Sequence, residues 1–409
     1  MPKLVQINAY SGSGSIGRIA GQIGLAAEAA GWDCCMVSGT RYSRPGPLKE
    51  IRFDTAWTES LHALYSLLCD AHGRGSFFAT LRLIRKIRRL QPDLIHLHNV
   101  HGYYLNVRLF FNFLKKSGIP VVWTLHDCWT MTGHCAHFEP AGCLRWQTEC
   151  YACPLKQAYP KSLFADASRR NFRWKKALFT SLENLHIVTV SQWLAEIVSR
   201  SYLKDYPLQV VRNGIDLKVF RPVSSDLRER LDIGERKVIL GVSSVWYPEK
   251  GMAEFFRLSE NPEYRVIMIG VTEAQQKSFP ETVVTIRRTH SPEELAAYYT
   301  MADVFVNPTY NDSFPTVNLE ALACGTPVIT YRTGGSPEAV DAATGRVVER
   351  GDYEGLLSAI AEVCAQPKPV AACRRAAETK FDMDRCAARY VEIYDACRKR
   401  PEEQGCEKE

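Results

Sequence analysis

Short apolar, β-branched runs alternate with helix-patterned segments along the whole chain. This alternation restricts the fold more than any motif does, because it is the pattern of parallel sheets covered by helices. In the first half the strand candidates are Leu4 to Asn8, Cys34 to Gly39, Leu94 to Asn99, Val121 to His126, Ile187 to Ser191 and Val210 to Asn213. In the second half they are Val238 to Ser243, Val266 to Gly270, Val283 to Arg287, Val304 to Asn307, Val328 to Tyr331 and Arg346 to Val348. A turn, an aromatic and a proline in Asn213-Gly-Ile-Asp-Leu-Lys-Val-Phe-Arg-Pro222 mark a seam between them. A length of 409 residues suits two α/β domains of ordinary size, one sheet in each.

Charge divides unevenly across that seam. Residues 1–220 hold 27 Lys and Arg against 15 Asp and Glu, a formal +12, and the rest hold 24 against 30, a formal −6. The basic excess gathers in Leu81-Arg-Leu-Ile-Arg-Lys-Ile-Arg-Arg89 and Arg169-Arg-Asn-Phe-Arg-Trp-Lys-Lys176. Both stretches suit an anionic leaflet or an anionic acceptor, and both also suit a solvated helix face. The amino terminus has no signal-peptide pattern and no run approaches eighteen apolar residues, so a cytoplasmic protein is expected. In that compartment the fourteen cysteines are expected as thiols or metal ligands rather than a disulfide framework.

Gly12-Ser-Gly-Ser-Ile-Gly17 fits the dinucleotide fingerprint letter for letter but lacks its context. Ala9-Tyr10-Ser11 separate strand from glycine, and the second strand ends in Ser38-Gly39-Thr40-Arg41 with no carboxylate for a ribose. What survives is a flexible turn before a helix start, which favours an anion.

The second half carries a more specific constellation. Met301-Ala-Asp-Val-Phe-Val-Asn-Pro308 leads into Asn311-Asp-Ser-Phe-Pro-Thr-Val-Asn-Leu-Glu-Ala-Leu-Ala-Cys-Gly-Thr-Pro-Val-Ile329 and then Gly334-Gly-Ser-Pro-Glu338. This resembles the donor motif of the retaining, nucleotide-sugar-dependent glycosyltransferases of family 4, whose GT-B fold sets two Rossmann-like domains with parallel sheets across a cleft. The resemblance extends through the glycine turn, Thr124-Leu-His-Asp127, Asn213-Gly-Ile-Asp216 and Lys250-Gly251. Gln6-Ile-Asn8, Gly12 to Arg18 and Thr132-Gly-His-Cys135 resemble the bacterial polysaccharide enzymes of the colanic-acid type.

The resemblance implies an acceptor-side domain over 1–212 with a cysteine-rich insertion at about 127–160, a donor domain over 213–380, and a terminal helix over 381–409 packing back on the first domain. It implies that Glu320 accepts from ribose hydroxyls and that Asp312 contacts the transferred sugar. Phe314, Pro315, Thr316 and Val317 would present helix-start amides to the sugar and diphosphate. Lys250 would neutralise the leaving diphosphate, and His126 would reach the donor sugar. Gly14 and Gly17 would let the backbone come close to the donor diphosphate, and Ser243, Ser244, Arg18 and Arg287 would make up for an arginine that this chain lacks at Val245, completing the expected donor-binding set. His96, His98 and His101 suit packing as well as a role in the site. Two departures stand out: most relatives have Glu in place of Asp312, and many have Arg in place of Val245.

The implied activity moves a sugar, with retained configuration and no catalytic cofactor, from a nucleoside diphosphate sugar to a glycan or polyprenyl-diphosphate-linked glycan in surface-polysaccharide synthesis. Its place would be the cytoplasm or the inner membrane face, the basic domain meeting the membrane, with no nucleic-acid partner. A non-catalytic sugar-nucleotide-binding module and a phosphorylase or epimerase of the same fold are the alternatives. Separately, Cys135, Cys143, Cys150 and Cys153 form C-x7-C-x6-C-x2-C after Cys128. They suit a structural zinc, free buried thiols, or a disulfide; four cysteines leave no open position for catalytic zinc.

Overall fold

The computed structural model describes residues 1–41 and 43–398. The chain divides into two compact units: Met1–Arg212 together with the chain from Asp384 onward, and Asn213–Met383.

The first unit is a seven-stranded parallel sheet built from β1 (Lys3–Asn8), β2 (Asp33–Ser38), β3 (Lys49–Arg52), β4 (Leu94–Leu97), β5 (Val121–Leu125), β6 (Leu185–Thr189) and β7 (Leu208–Val210), in the order β3-β2-β1-β4-β5-β6-β7. Helices α1 (Gly14–Ala29), α2 (Ala56–Cys69), α3 (Phe77–Leu90), α4 (Val107–Ser117), α5 (Ser168–Phe179) and α6 (Gln192–Ser199) connect and cover it. Strand β1 lies between β2 and β4, pairing Leu4 with both Cys34 and Leu94. Every residue of β4 and β5 is buried, as expected of a sheet covered on both faces.

Buried polar side chains on these strands need partners. His96 on β4 bonds Thr124 Oγ1 on β5 at 2.8 Å and the Tyr394 hydroxyl at 2.6 Å. Tyr394 belongs to the helix Met383–Arg398, and its ring also meets Trp32 edge-on, so this helix closes the first unit's core through Tyr390 and Tyr394.

The second unit is a six-stranded parallel sheet of β8 (Lys237–Val242), β9 (Tyr264–Ile269), β10 (Val284–Ile286), β11 (Val304–Asn307), β12 (Val328–Tyr331) and β13 (Gly345–Val348), ordered β10-β9-β8-β11-β12-β13. Ile239, Phe255, Val266, Met268, Val304 and Ile329 lie at the centre of its core. In both sheets the order reverses once, at β1/β4 and at β8/β11. In open α/β sheets ligands bind beyond the carboxyl ends of the strands at such a reversal.

Two strands differ from the sequence expectation. The charged edge strand β3, Lys-Glu-Ile-Arg, has no apolar run to announce it. The run Val210 to Asn213 is displaced, because β7 is a half-exposed edge strand ending at Val210.

Candidate functional site

Beyond β11 in the second unit, the chain turns through Pro308 to Pro315 into the helix Thr316–Ala323. Lys250 Nζ stands 3.1 Å from Asp312 Oδ2 and donates to the Asn311 carbonyl at 3.3 Å and to Thr309 Oγ1 at 3.4 Å. The other oxygen, Asp312 Oδ1, accepts from the Phe314 amide at 3.2 Å. One carboxylate thus holds both the lysine and the approach to the helix. Two glycines fix the geometry. Gly251, at φ +75°, lets the lysine turn lie against Pro308, where a Cβ would fall 2.4 Å from a ring carbon. Gly334, at φ +53°, supports the Asp312 loop, and a Cβ there would fall 1.8 Å from the Asp312 carbonyl oxygen.

The helix begins after Pro315 with no side-chain cap. The Thr316 and Val317 amides accordingly have no hydrogen-bond partner among the described residues and lie at a half-exposed helix start, the arrangement that receives an anion. Glu320, one turn on, is buried and accepts from the Tyr299 hydroxyl at 2.9 Å. Lys250, Asp312 and the Phe314 amide are thus joined by hydrogen bonds at the approach to the helix, buried Phe314 and Pro315 lead into the half-exposed Thr316 and Val317, and Glu320 lies on the buried side of the same helix.

Of the remaining second-unit candidates, Ser243 and Arg287 have partners of their own. Ser243 donates its hydroxyl proton to the Val245 carbonyl at 2.7 Å, so that hydroxyl closes its own turn. Ser244 is exposed, and exposed Arg287 lies 3.7 Å from Glu273.

In the first unit, Gly14 opens α1 at φ +64°, Gly17 is buried against the Tyr10 carbonyl, and Arg18 is exposed. A chain of hydrogen bonds runs from this helix to His126. Gln6 Nε2 donates to the Ala20 carbonyl on α1 at 2.9 Å, which can only accept, so Gln6 Oε1 must face His98. Oε1 accepts from His98 Nε2 at 3.0 Å; His98 Nδ1 is then the acceptor for His126 Nε2 at 3.1 Å. His126 is left as the Nε2–H tautomer with Nδ1 open to accept. Burial holds the His126 pKa down at about 4, although Asp127 opposes it, so the ring is neutral at physiological pH. Gln6 stands out in the sequence only within the motif Gln6-Ile-Asn8, with no sign of a link to a histidine, and His98 suits packing equally well.

Beside it, Asp127 Oδ2 bonds His101 Nε2 at 2.8 Å, and His101 Nδ1 meets the Tyr159 hydroxyl at 3.1 Å. Burial alone would raise the Asp127 carboxyl, but His101 and the Trp129 amide hold it at about 2. Farther along the insertion, Cys135, Cys143, Cys150 and Cys153 line one narrow cavity of ≈ 10 Å³. Cys135 and Cys153 hydrogen-bond each other, and the Gly133 amide donates to Cys150 Sγ at 3.2 Å. Among the described residues no three His, Cys, Asp or Glu side chains already stand in metal-holding geometry.

The family model described as Glycosyltransferase Family 4 matches residues 16–219, and that described as Glycosyl transferases group 1 matches 223–380. WcaC of Escherichia coli (strain K12), described as a colanic acid biosynthesis glycosyl transferase, is 26% identical over 69% of this chain and 70% of its own length. A GDP-mannose-dependent phosphatidylinositol monomannoside mannosyltransferase of Mycolicibacterium smegmatis is 29% identical over 46% of this chain, and the match spans 54% of that enzyme. Among solved structures, sucrose-phosphate synthase of Thermosynechococcus elongatus aligns at TM-score 0.68 and 19% identity over 97% of this chain and 99% of its own. HepE of Anabaena, solved with UDP and glucose, aligns at 0.65 and 16% over 97% and 100%. These likenesses show the GT-B fold.

Two outcomes follow from this geometry. Gly334→Ala combines a left-handed backbone with a blocked Cβ, so it should destabilise the second unit by about 1–3 kcal/mol, read as a lowered urea midpoint; an unchanged midpoint would show that the Asp312 loop is not held there. His62 and His126 are both held near pKa 4 by burial. Their folded values lie below the unfolded value, so stability is full above about pH 6.5 and is lost as pH falls from there towards 4. Urea midpoints at pH 7.5 and 5.5 should differ in that sense, and equal midpoints would contradict it.

Proposed function

Because the chain belongs to the family 4 glycosyltransferases of GT-B fold, we propose that it transfers a sugar from a nucleoside diphosphate sugar, with retention, to a glycan or polyprenyl-diphosphate-linked glycan in bacterial surface-polysaccharide synthesis. The observation that carries this reading is the second unit's loop, in which a lysine and a carboxylate pair immediately before a helix start with two unpaired amides. A diphosphate offers charge to both the lysine and the amides, and the bond to the sugar breaks as that charge grows on the leaving phosphate. Groups already aimed at the developing charge stabilise it without reorganisation.

Glu320 takes the ribose hydroxyls in this reading, and Asp312 turns from Lys250 to the sugar. The base lies along the backbone near Ile286 to Arg288. In the first unit, neutral His126 accepts from a sugar hydroxyl through Nδ1, and attack occurs on the face from which the phosphate departs. The phosphate takes the acceptor proton, so no separate protein base is needed. The Asp127–His101–Tyr159 group borders His126 and serves the acceptor. The polysaccharide role is supported by the likeness to WcaC. That HepE was solved with UDP and glucose supports a nucleotide-sugar donor.

Lys250→Ala should lower kcat by about 100-fold or more with the melting temperature little changed. Near-normal turnover in a folded variant would sink the assignment. A structural zinc would be held by Cys135, Cys143, Cys150 and Cys153, which line one cavity, but only if the thiols moved closer together, since among the described residues no three of them stand in metal-holding geometry. Metal analysis of protein purified without a polyhistidine tag should then find about one zinc per chain; a well-folded sample with almost none would exclude it.

A further inference from the structure

Helix α2 is turned inside out. Its buried residues are Glu59, His62 and Ser66, all polar, while Trp57, Leu61, Leu64, Tyr65 and Leu68 face solvent. The outward set recurs at i, i+4, i+7, i+8 and i+11, one apolar stripe of an amphipathic helix. Trp57 is 76% exposed. Hydrogen bonds through the polar face hold the helix to the fold. Glu59 accepts from the amides of Thr40 and Arg41, and His62 accepts from the Gly75 amide at 3.0 Å while its other nitrogen meets Ser76 Oγ at 3.1 Å.

Those contacts place the stripe beside further exposed apolar groups. Ser76 adjoins Phe77 and Phe78, the latter 74% exposed. At the helix's carboxyl end, the Leu67 carbonyl accepts from the Leu163 amide at 2.8 Å, bringing Leu163 and the 75% exposed Phe164 alongside. Exposed apolar side chains that continue from α2 to Phe77, Phe78 and Phe164 mark a docking surface.

The charge around it selects the occupant. From Ala56 to Leu90 the only carboxylates, Glu59 and Asp70, are buried, whereas Arg82, Arg85, Lys86, Arg88 and Arg89 of α3 are exposed. Every fully exposed charge on these two helices is positive. A second copy on the same face would bring like charges together across a two-fold interface. We propose that the α2 stripe with Phe77, Phe78 and Phe164 inserts into an anionic lipid leaflet while the α3 cations meet its headgroups. This surface stands apart from the transfer reaction, and its test reads no transfer.

The full chain is floated with vesicles of phosphatidylcholine alone or with about a third phosphatidylglycerol. It should rise with the anionic vesicles and bind the neutral ones at least about 10-fold more weakly, with binding reduced by salt. Trp57→Ser with Leu61→Ser, and separately Arg85→Glu with Arg89→Glu, should each lower anionic binding by about 10-fold or more while leaving the melting temperature unchanged, since all four side chains lie in solvent. The proposal is overturned if wild-type protein stays at the bottom with anionic vesicles, or if the Trp57/Leu61 variant floats as well as wild type. It is equally overturned if light scattering shows a dimer that this variant abolishes, which would assign the face to a second copy.

Discussion

The Lys250–Asp312 pair organises the second unit's site. Both side chains are about one-third exposed or less, at 30% and 27%, and pairs in such partly solvated positions contribute little net stability, roughly 0–1 kcal/mol. The pair is therefore a placement device. It holds Lys250 against the loop that leads into the helix Thr316–Ala323, and so weak a pair would give way to a stronger anion in the proposed function. Its precision comes from the backbone: Gly251 and Gly334 allow approaches that a side chain would block, and the Asp312 carboxylate itself caps the Phe314 amide. The sheet reversal at β8/β11 puts these loops where a ligand meets strand ends rather than strand edges.

The first unit solves a different problem. Its central strands bury Gln6, His96 and Thr124, and the chain just past the end of β4 buries His98, groups that cost stability unless bonded. The bonding that satisfies them also has chemical content. A backbone carbonyl on α1 orients Gln6, which orients His98, which sets the tautomer of His126. The helix Met383–Arg398 completes the same core by supplying the Tyr394 hydroxyl to His96.

Much of this was legible in the sequence, for physical reasons that differ by residue. Buried parallel strands are long apolar runs, so β1, β4, β5, β8 and β11 announced themselves. Edge strand β3 did not, because its exposed face tolerates charge. The loop around Asp312 was legible through its resemblance to the family motif, and the structure adds the physical reason for two of its residues: Gly251 and Gly334 take left-handed backbone at approaches a Cβ would block. Helix α2 was opaque: periodicity gives the existence of an apolar stripe and not the side on which the fold lies. The bond from Ser243 to Val245 was equally hidden, since serine side chains bond neighbouring backbone by rules that depend on the turn.

The central claim is that Asp312 holds Lys250 only until a diphosphate takes it. Calorimetric titration of a free nucleoside diphosphate onto wild type, Lys250→Ala and Asp312→Asn separates holding from binding. The account predicts that Lys250→Ala weakens binding by about 10-fold or more, whereas Asp312→Asn, which releases the lysine, binds at least as tightly as wild type. Equal weakening in both variants, or no weakening in Lys250→Ala, would contradict it.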